Sequence, residues 1–221
     1  VGSGVHAPRH ANLLADAAGM RHVEVFSDLA IVSRTPLYGV AKRLVKPDSP
    51  FPLSDGHNSS ILSAKTDIDG TPHQFIANHW GVRDVNRPNA GPDWSSPTRM
   101  KAAKQVIAMS DRSMPVFVGG DLNAYSGVGP QRVAGTTDEV SELRTRFTDV
   151  FIQLQLGNAT HCSDQRIDYL MFSGRSYVPI GYDACSNAAP SDHPIVLAEF
   201  RKELQPIPRE GQAVACAVFN D

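Results

Sequence analysis

One stretch constrains the fold more than any other: Met114-Pro-Val-Phe-Val-Gly-Gly-Asp121-Leu-Asn123-Ala-Tyr-Ser126. Pro115 to Val118 is a short apolar run with β-branched and aromatic residues, which suits an interior strand. Gly119 and Gly120 remove side chains where the strand leaves the core, so the backbone can turn or meet a neighbour closely. Asp121 and Asn123 are two apart, and in extended backbone both point the same way. A carboxylate and a carboxamide on one face at a strand end suit a phosphate or a metal ion. The same residues also suit an Asx turn, because Gly, Asp and Asn dominate turns. Both readings stand on this stretch alone.

The chain of 221 residues fits one large domain or two small ones. Its hydrophobic fraction of 41% and charged fraction of 20% are those of an ordinary globular protein. A formal net charge of -2 gives no overall basic field for nucleic acid, although a local patch is compatible with it. No apolar run approaches the length of a membrane span. No signal peptide is visible, and Val1 does not look like a natural start. Cys162, Cys185 and Cys216 form no C-x-x-C pair, which argues against structural zinc. Cys162 and Cys185 could bridge across the strand between them, and such a loop closure stabilises by roughly 3 kcal/mol. Asn58-Ser-Ser60 and Asn158-Ala-Thr160 match glycosylation acceptors. Together these features lean toward an exported, secreted protein, expected to be a monomer.

Along the chain, His6 and His10 are read as surface histidines, since Pro8 interrupts their spacing. His10 to Ala18 has a helical pattern with Leu13, Leu14, Ala17 and Ala18 on one face, stopped by Gly19. Val23 to Phe26 and Leu29 to Ser33 read as strands joined by a turn at Ser27-Asp28, and Tyr38 to Val45 as another. Residues 46 to 60 form a loop. Ile61 to Thr66 and His73 to Ala77 suggest a hairpin around Asp67-Ile-Asp69-Gly70, ending at Asn78-His79-Trp80. After a polar loop, Ser96-Pro97 opens a helix whose apolar face is Met100, Ala103, Ile107 and Ala108. The opening strand follows at once. This strand–helix–strand order predicts a crossover that brings Asn78-His79 and Asp121-Asn123 to one sheet edge if the two strands are parallel. Further on come a short helix near Asp138 to Arg146 and an ambiguous segment from Phe147 to Leu156. Strands are expected over Gln165 to Phe172, Tyr177 to Tyr182 and Ile195 to Phe200. Residues 1 to 200 form the domain and 201 to 221 a tail.

Four polar clusters sit at the edges of apolar strands: Asn78-His79, Asp121-Asn123, Asp168 and Asp192-His193. An acid inside a strand is costly to bury unless paired, so the plain structural reading of Asp168 is an ion pair with Arg166 or another base. A lone histidine is more often a satisfied core residue than a catalyst. The recurrence of acids, amides and histidines at four strand ends shifts the reading toward a site.

In that order, Asn78-His79, Gly120-Asp121-Leu-Asn123, Arg166-Ile-Asp168-Tyr and Ser191-Asp192-His193 resemble the endonuclease/exonuclease/phosphatase superfamily, the DNase I-like fold. Ala30-Ile-Val-Ser-Arg34-Thr-Pro36 is similar to another of its strand regions. The resemblance covers about residues 9 to 200. It implies an α/β fold, a two-sheet sandwich of mixed and antiparallel strands flanked by helices. It also implies cleavage of phosphate esters with Mg²⁺ or Mn²⁺.

On that resemblance, His193 is the general base or phosphate partner, with Asp168 fixing its tautomer. Asp121 orients or deprotonates the attacking water, and Asn123 binds that water or the phosphate. His79 donates to a phosphate oxygen, and Asn78 and Arg166 contact substrate. Asp192, with Asp121, supplies hard oxygens for the metal, although the sequence leaves open which of Asp121, Asp168 and Asp192 touches it.

The chain departs from the family pattern at its start. A strand ending in Asn and a strand ending in Gln-Glu, whose Glu is a principal metal ligand, are both missing. The expectation is an omitted beginning, weak metal binding by this piece, poor catalysis and an exposed sheet edge. The substrate is a phosphate ester: nucleic acid, a small phosphodiester or a phospholipid headgroup. The loop with Arg83, Arg87, Trp94 and Arg99 is a candidate contact for nucleic acid. The alternative is a non-catalytic phosphate-binding or partner-binding module of the same fold.

Overall fold

A computed structural model describes residues 7–47, 58–81, 96–124, 139–154, 167–174, 176–183 and 196–203. Helix α1 (Ala7–Ala17) leads into the hairpin β1 (His22–Phe26) and β2 (Leu29–Ser33). Next come β3 (Leu37–Val45), β4 (Ser59–Ile68) and β5 (Thr71–His79). Helix α2 (Ser96–Met109) then returns the chain to β6 (Val116–Asp121). The short α3 (Glu139–Arg144), β7 (Thr148–Asp149) and α4 (Val150–Gln153) follow. The described chain ends with β8 (Asp168–Ser173) and the hairpin of β9 (Tyr177–Asp183) and β10 (Leu197–Lys202). The ambiguous segment after Phe147 is thus both: a two-residue strand, then a turn of helix capped by the Asp149 carboxylate on the Phe151 amide.

The central sheet has six strands in the order β3-β4-β5-β6-β8-β7. The β4–β5 hairpin turns on Asp69-Gly70, both at positive φ, the geometry that matches the twist of paired strands. β5 and β6 run parallel, as a crossover through α2 requires, and the other pairs are antiparallel. Register then places Ser60, His79, Asp121 and Asp168 in one row across four adjacent strands. The parallel pairing of β5 with β6 brings the Asn78-His79 and Asp121-Asn123 motifs to the same edge.

Alternation along the strands divides the sheet into two faces. Ile61, Ile76, Val116, Val118 and Met171 face α2 and α3 and form the larger core with Trp80, Val106 and Leu143. Burying each such aliphatic side chain contributes about 1.5–3 kcal/mol. The opposite face carries Leu62, Ala64, Phe75 and Ala77 and is covered by Leu29 and Ile31 of the β1–β2 hairpin. Further along it, Phe200 of β10 sits edge-on to Phe117 and Phe172, with ring centroids 4.9 and 5.2 Å away. Among the described residues the second layer is therefore two separate hairpins laid on the main sheet.

Two helix faces differ from their periodicity. In α1 the buried residues are Ala11 and Ala15, while Leu13 and Leu14 are exposed. Helix α1 lies close against the β1–β2 hairpin, where small residues allow the approach. In α2 the buried face is Thr98, Arg99, Ala102, Ala103 and Val106, with Met100 and Ile107 only partly covered and Ala108 exposed. The helix is rotated toward Arg99 because that guanidinium has a buried carboxylate partner, which periodicity does not register.

Candidate active site

The site begins with the exit of β6. Gly120 has φ +133°, and a Cβ there would lie 1.9 Å from the Asn78 carbonyl oxygen. Only glycine lets β6 leave the sheet this close to β5. The ladder continues past the strands: the Trp80 amide donates to the Asp121 carbonyl (3.0 Å) and the Leu122 amide to the Ile167 carbonyl (2.9 Å).

Asp121 and Asn123 do not lie side by side on extended backbone. Asn123 has φ +45°, so the chain turns immediately after the strand. The Asn123 amide donates to Asp121 Oδ1 (2.7 Å), and its side-chain Nδ2 donates to Asp121 Oδ2 (3.1 Å) and to the Trp80 carbonyl (2.8 Å). The Asx turn and the site are the same object. The turn clamps the Asp121 carboxylate with two donors, the Asn123 backbone amide and one side-chain N–H, and commits the other side-chain hydrogen to the Trp80 carbonyl.

His79 stands beside Asp121 in the row, with Nε2 3.8 Å from Asp121 Oδ2. Its other nitrogen, Nδ1, is hydrogen-bonded to the carboxylate of Asp28. Asp28 occupies the β1–β2 turn, where Ser27 at φ +55° brings the loop over the sheet edge. The Asp28 hydrogen bond raises the His79 pKa above the usual histidine range; burial opposes it, and the charges of Asp28, Asp121 and Asp168 reinforce it. Burial alone would raise the Asp28 carboxyl, but the hydrogen bond and charge of His79, with local donors, hold it below the usual range. His79 is thus biased toward imidazolium, with Nε2–H turned toward the space beside Asp121. In the sequence Asp28 reads only as a turn residue. Its role is legible only once β1–β2 is laid on the sheet.

No family model matches the chain, and no curated protein matches it in sequence. Solved structures do match. An endonuclease/exonuclease/phosphatase from Beutenbergia cavernae superposes with a TM-score of 0.59 at 18% identity, over 92% of this chain and 60% of that one. D. rerio TDP2 complexed with single strand DNA product gives 0.58 at 15% identity, over 88% and 82%. A mannosyl-6-phosphatase from Bacteroides thetaiotaomicron gives 0.55 at 16% identity, over 88% and 82%.

The chain has the endonuclease/exonuclease/phosphatase fold.

Within this fold, the structure brings together His79, Asp121, Asn123 and Asp168 of the expected site residues and adds Asp28. Asn78 is placed differently. It is 1% exposed, its Nδ2 donates to the Ile76 carbonyl (3.3 Å), and its Oδ1 accepts from Trp80 Nε1 (3.3 Å). It therefore steadies the strand end from the helix side and offers no surface to a substrate. Arg99 is also inside: it is fully buried, which removes it from the expected nucleic-acid contacts. Arg166, Asp192 and His193 lie outside the described residues, as do Arg83, Arg87, Trp94, Cys162, Cys185, Cys216 and residues 204–221 of the expected tail, whose first residues Arg201 and Lys202 instead belong to β10 and pair with β9.

Among the described residues no group of three His, Cys, Asp or Glu side chains is arranged to hold a metal ion. Asp121 and Asp168 nevertheless face each other across β6 and β8. Two hard carboxylates suit a cation such as Mg²⁺, which takes one or two carboxylates and fills its other positions with water and phosphate oxygens.

Proposed function

We propose that the chain is a metal-dependent phosphoric ester hydrolase in which activated water attacks phosphorus in line. The observation that carries this reading is the row His79–Asp121–Asp168 at one sheet edge, with His79 hydrogen-bonded through Nδ1 to Asp28. Asp121, held by the Asn123 turn, orients the attacking water and receives its proton. His79 donates Nε2–H to a non-bridging phosphate oxygen as negative charge builds there. Asp168 adds a second carboxylate at the same edge, suited to hold the His193 ring in one tautomer. Asp121, with Asp192 or Asp168, would hold Mg²⁺ or Mn²⁺, which would neutralise the phosphate charge.

The substrate class is a phosphate ester: a nucleic acid, a small phosphodiester or a phospholipid headgroup. Two structural neighbours support the class, since one is a mannosyl-6-phosphatase and another holds a single strand DNA product. The Beutenbergia cavernae protein is longer: the chain spans 60% of its length. The test therefore uses the full-length protein on a chromogenic phosphodiester, with and without EDTA, with His193→Ala as control. Hydrolysis abolished by EDTA, restored by Mg²⁺ and lost in the variant is the expected result. Metal-independent hydrolysis, or none, overturns the reading; phosphate binding without hydrolysis would make the chain a binding module.

A further inference from the structure

A buried ion pair lies behind the site, on the helix side of the sheet. Arg99 and Glu139 are both fully buried, and Arg99 Nε donates to Glu139 Oε1 at 3.2 Å. The Ser96 hydroxyl donates to the same oxygen at 2.9 Å. Arg99 Nη1 donates to the carbonyl of Gly81 at 3.2 Å. One charged pair thus ties the start of α2, the start of α3 and the exit of β5.

The Gly81 end is the informative one. The Gly81 amide is held by the Ser59 hydroxyl at 3.0 Å, so both polar groups of this peptide position are fixed. The preceding residue, Trp80, has no exposed surface; its amide donates to Asp121 and its carbonyl accepts from Asn123. Asn123 in turn holds both oxygens of Asp121. An unbroken path of hydrogen bonds and one short piece of backbone therefore runs from the Arg99 guanidinium to the Asp121 carboxylate. A buried charged pair is weak evidence for stability, because desolvation offsets much of its attraction. Geometric specificity is the better reason for it here, since a guanidinium offers several donors in a rigid planar fork and can hold a carboxylate and a carbonyl together.

We infer that Arg99, fixed by Glu139, is a positioning residue for the Trp80–Asn123–Asp121 unit. It touches no substrate. The inference rests on the proposed hydrolase reading for its kinetic consequence but not for its structural one, so the test has two readouts. In the full-length protein, Arg99→Met combined with Glu139→Leu removes both charges while keeping their bulk, and Arg99→Lys keeps the charge with a single donor centre. The first readout is amide hydrogen exchange over residues 78–81 and 121–124. The second is kcat and KM on the chromogenic phosphodiester. The charge-free pair is expected to exchange at least tenfold faster in both segments, with kcat reduced about tenfold and KM changed less than twofold; Arg99→Lys falls between it and the wild type.

A merely structural role predicts a lower melting temperature with exchange and kcat of the folded fraction unchanged, and that result overturns the inference. Lost activity with unaltered exchange overturns it as well. If the charge-free pair does not fold, Arg99→Lys decides by the same two readouts. If the wild type hydrolyses nothing, the hydrolase reading falls, and the exchange data alone decide the positioning role.

Discussion

Two histidines of β5 make the most instructive comparison in this molecule. His73 and His79 share a strand and a face, six residues apart. His73 is fully buried; its Nδ1 lies 2.7 Å from the Thr71 carbonyl and its Nε2 2.6 Å from the Tyr177 hydroxyl. The carbonyl requires a proton on Nδ1, so neutral His73 accepts from Tyr177 at Nε2. Burial pushes its pKa down; the Thr71 carbonyl pulls the other way, Lys202 adds to the fall, and Asp67 and Asp69 oppose it. His79, at the other end, is partly exposed; among the described residues the charges acting on it are those of Asp28, Asp121 and Asp168, and its pKa is raised. The second-layer hairpins make the difference: β9–β10 covers His73 with a hydroxyl, and the β1–β2 turn covers His79 with a carboxylate. One residue type on one strand becomes a buried structural bolt whose pKa is depressed and a site residue whose pKa is raised.

The largest test of this contrast is at His79. His79→Asn is expected to lower kcat/KM of the full-length protein by about 10²–10³, the loss typical of a donor to developing charge. His73→Phe should leave kcat/KM unchanged, and equal losses at the two positions would break the distinction. Next comes Asp28→Asn, which keeps the shape of the turn and removes the charge. The His79 pKa, followed by NMR titration, should fall toward the ordinary value, and activity near neutral pH should drop with it, by less than in His79→Asn. An unmoved pKa would detach Asp28 from the site.

The two histidines also predict opposite stability slopes. His79 titrates higher folded than unfolded, so its contribution is full below about pH 6.5 and is lost as pH rises through the folded value. His73 titrates lower folded than unfolded, so the unfolded chain takes up the proton first and stability falls as pH drops below about 6.5. Chemical denaturation from about pH 5 to about pH 8 should show Asp28→Asn flattening the neutral side and His73→Phe the acid side. The smallest effect is at Tyr177. Tyr177→Phe removes one hydrogen bond to His73 and should cost about 1 kcal/mol in urea unfolding, with kcat unchanged.

Much of the scaffold was legible without coordinates. The Ser96-Pro97 helix start, the Asp69-Gly70 hairpin and the strand that ends in Gly119-Gly120 each carry a local signal, because turns and caps are decided by backbone sterics within a few residues. Asp121 and Asn123 were legible as a pair but not in arrangement: the left-handed Asn123 that folds the carboxamide back is one of two locally allowed outcomes. Asn78 and His79 were read as one motif, yet alternation sends them to opposite faces, one to the Trp80 indole and one to Asp28. Asp28 itself looked like any turn acid. Arg99 looked like a surface base of a polar loop, because nothing near it in sequence announces Glu139, forty positions on.

The sequence by itself determined which residues end strands, since apolar runs, glycines and turn formers act over short range. It placed acids, amides and histidines at those ends in a recognisable order. Tertiary structure alone decided what those groups are. The parallel β5–β6 pairing set the row of His79, Asp121 and Asp168, and the overlaid hairpins chose a carboxylate for one histidine and a hydroxyl for the other. The physical reason is that charge state depends on the burial and partners a group meets in space. The partners here lie 51 residues away for His79 and 104 for His73.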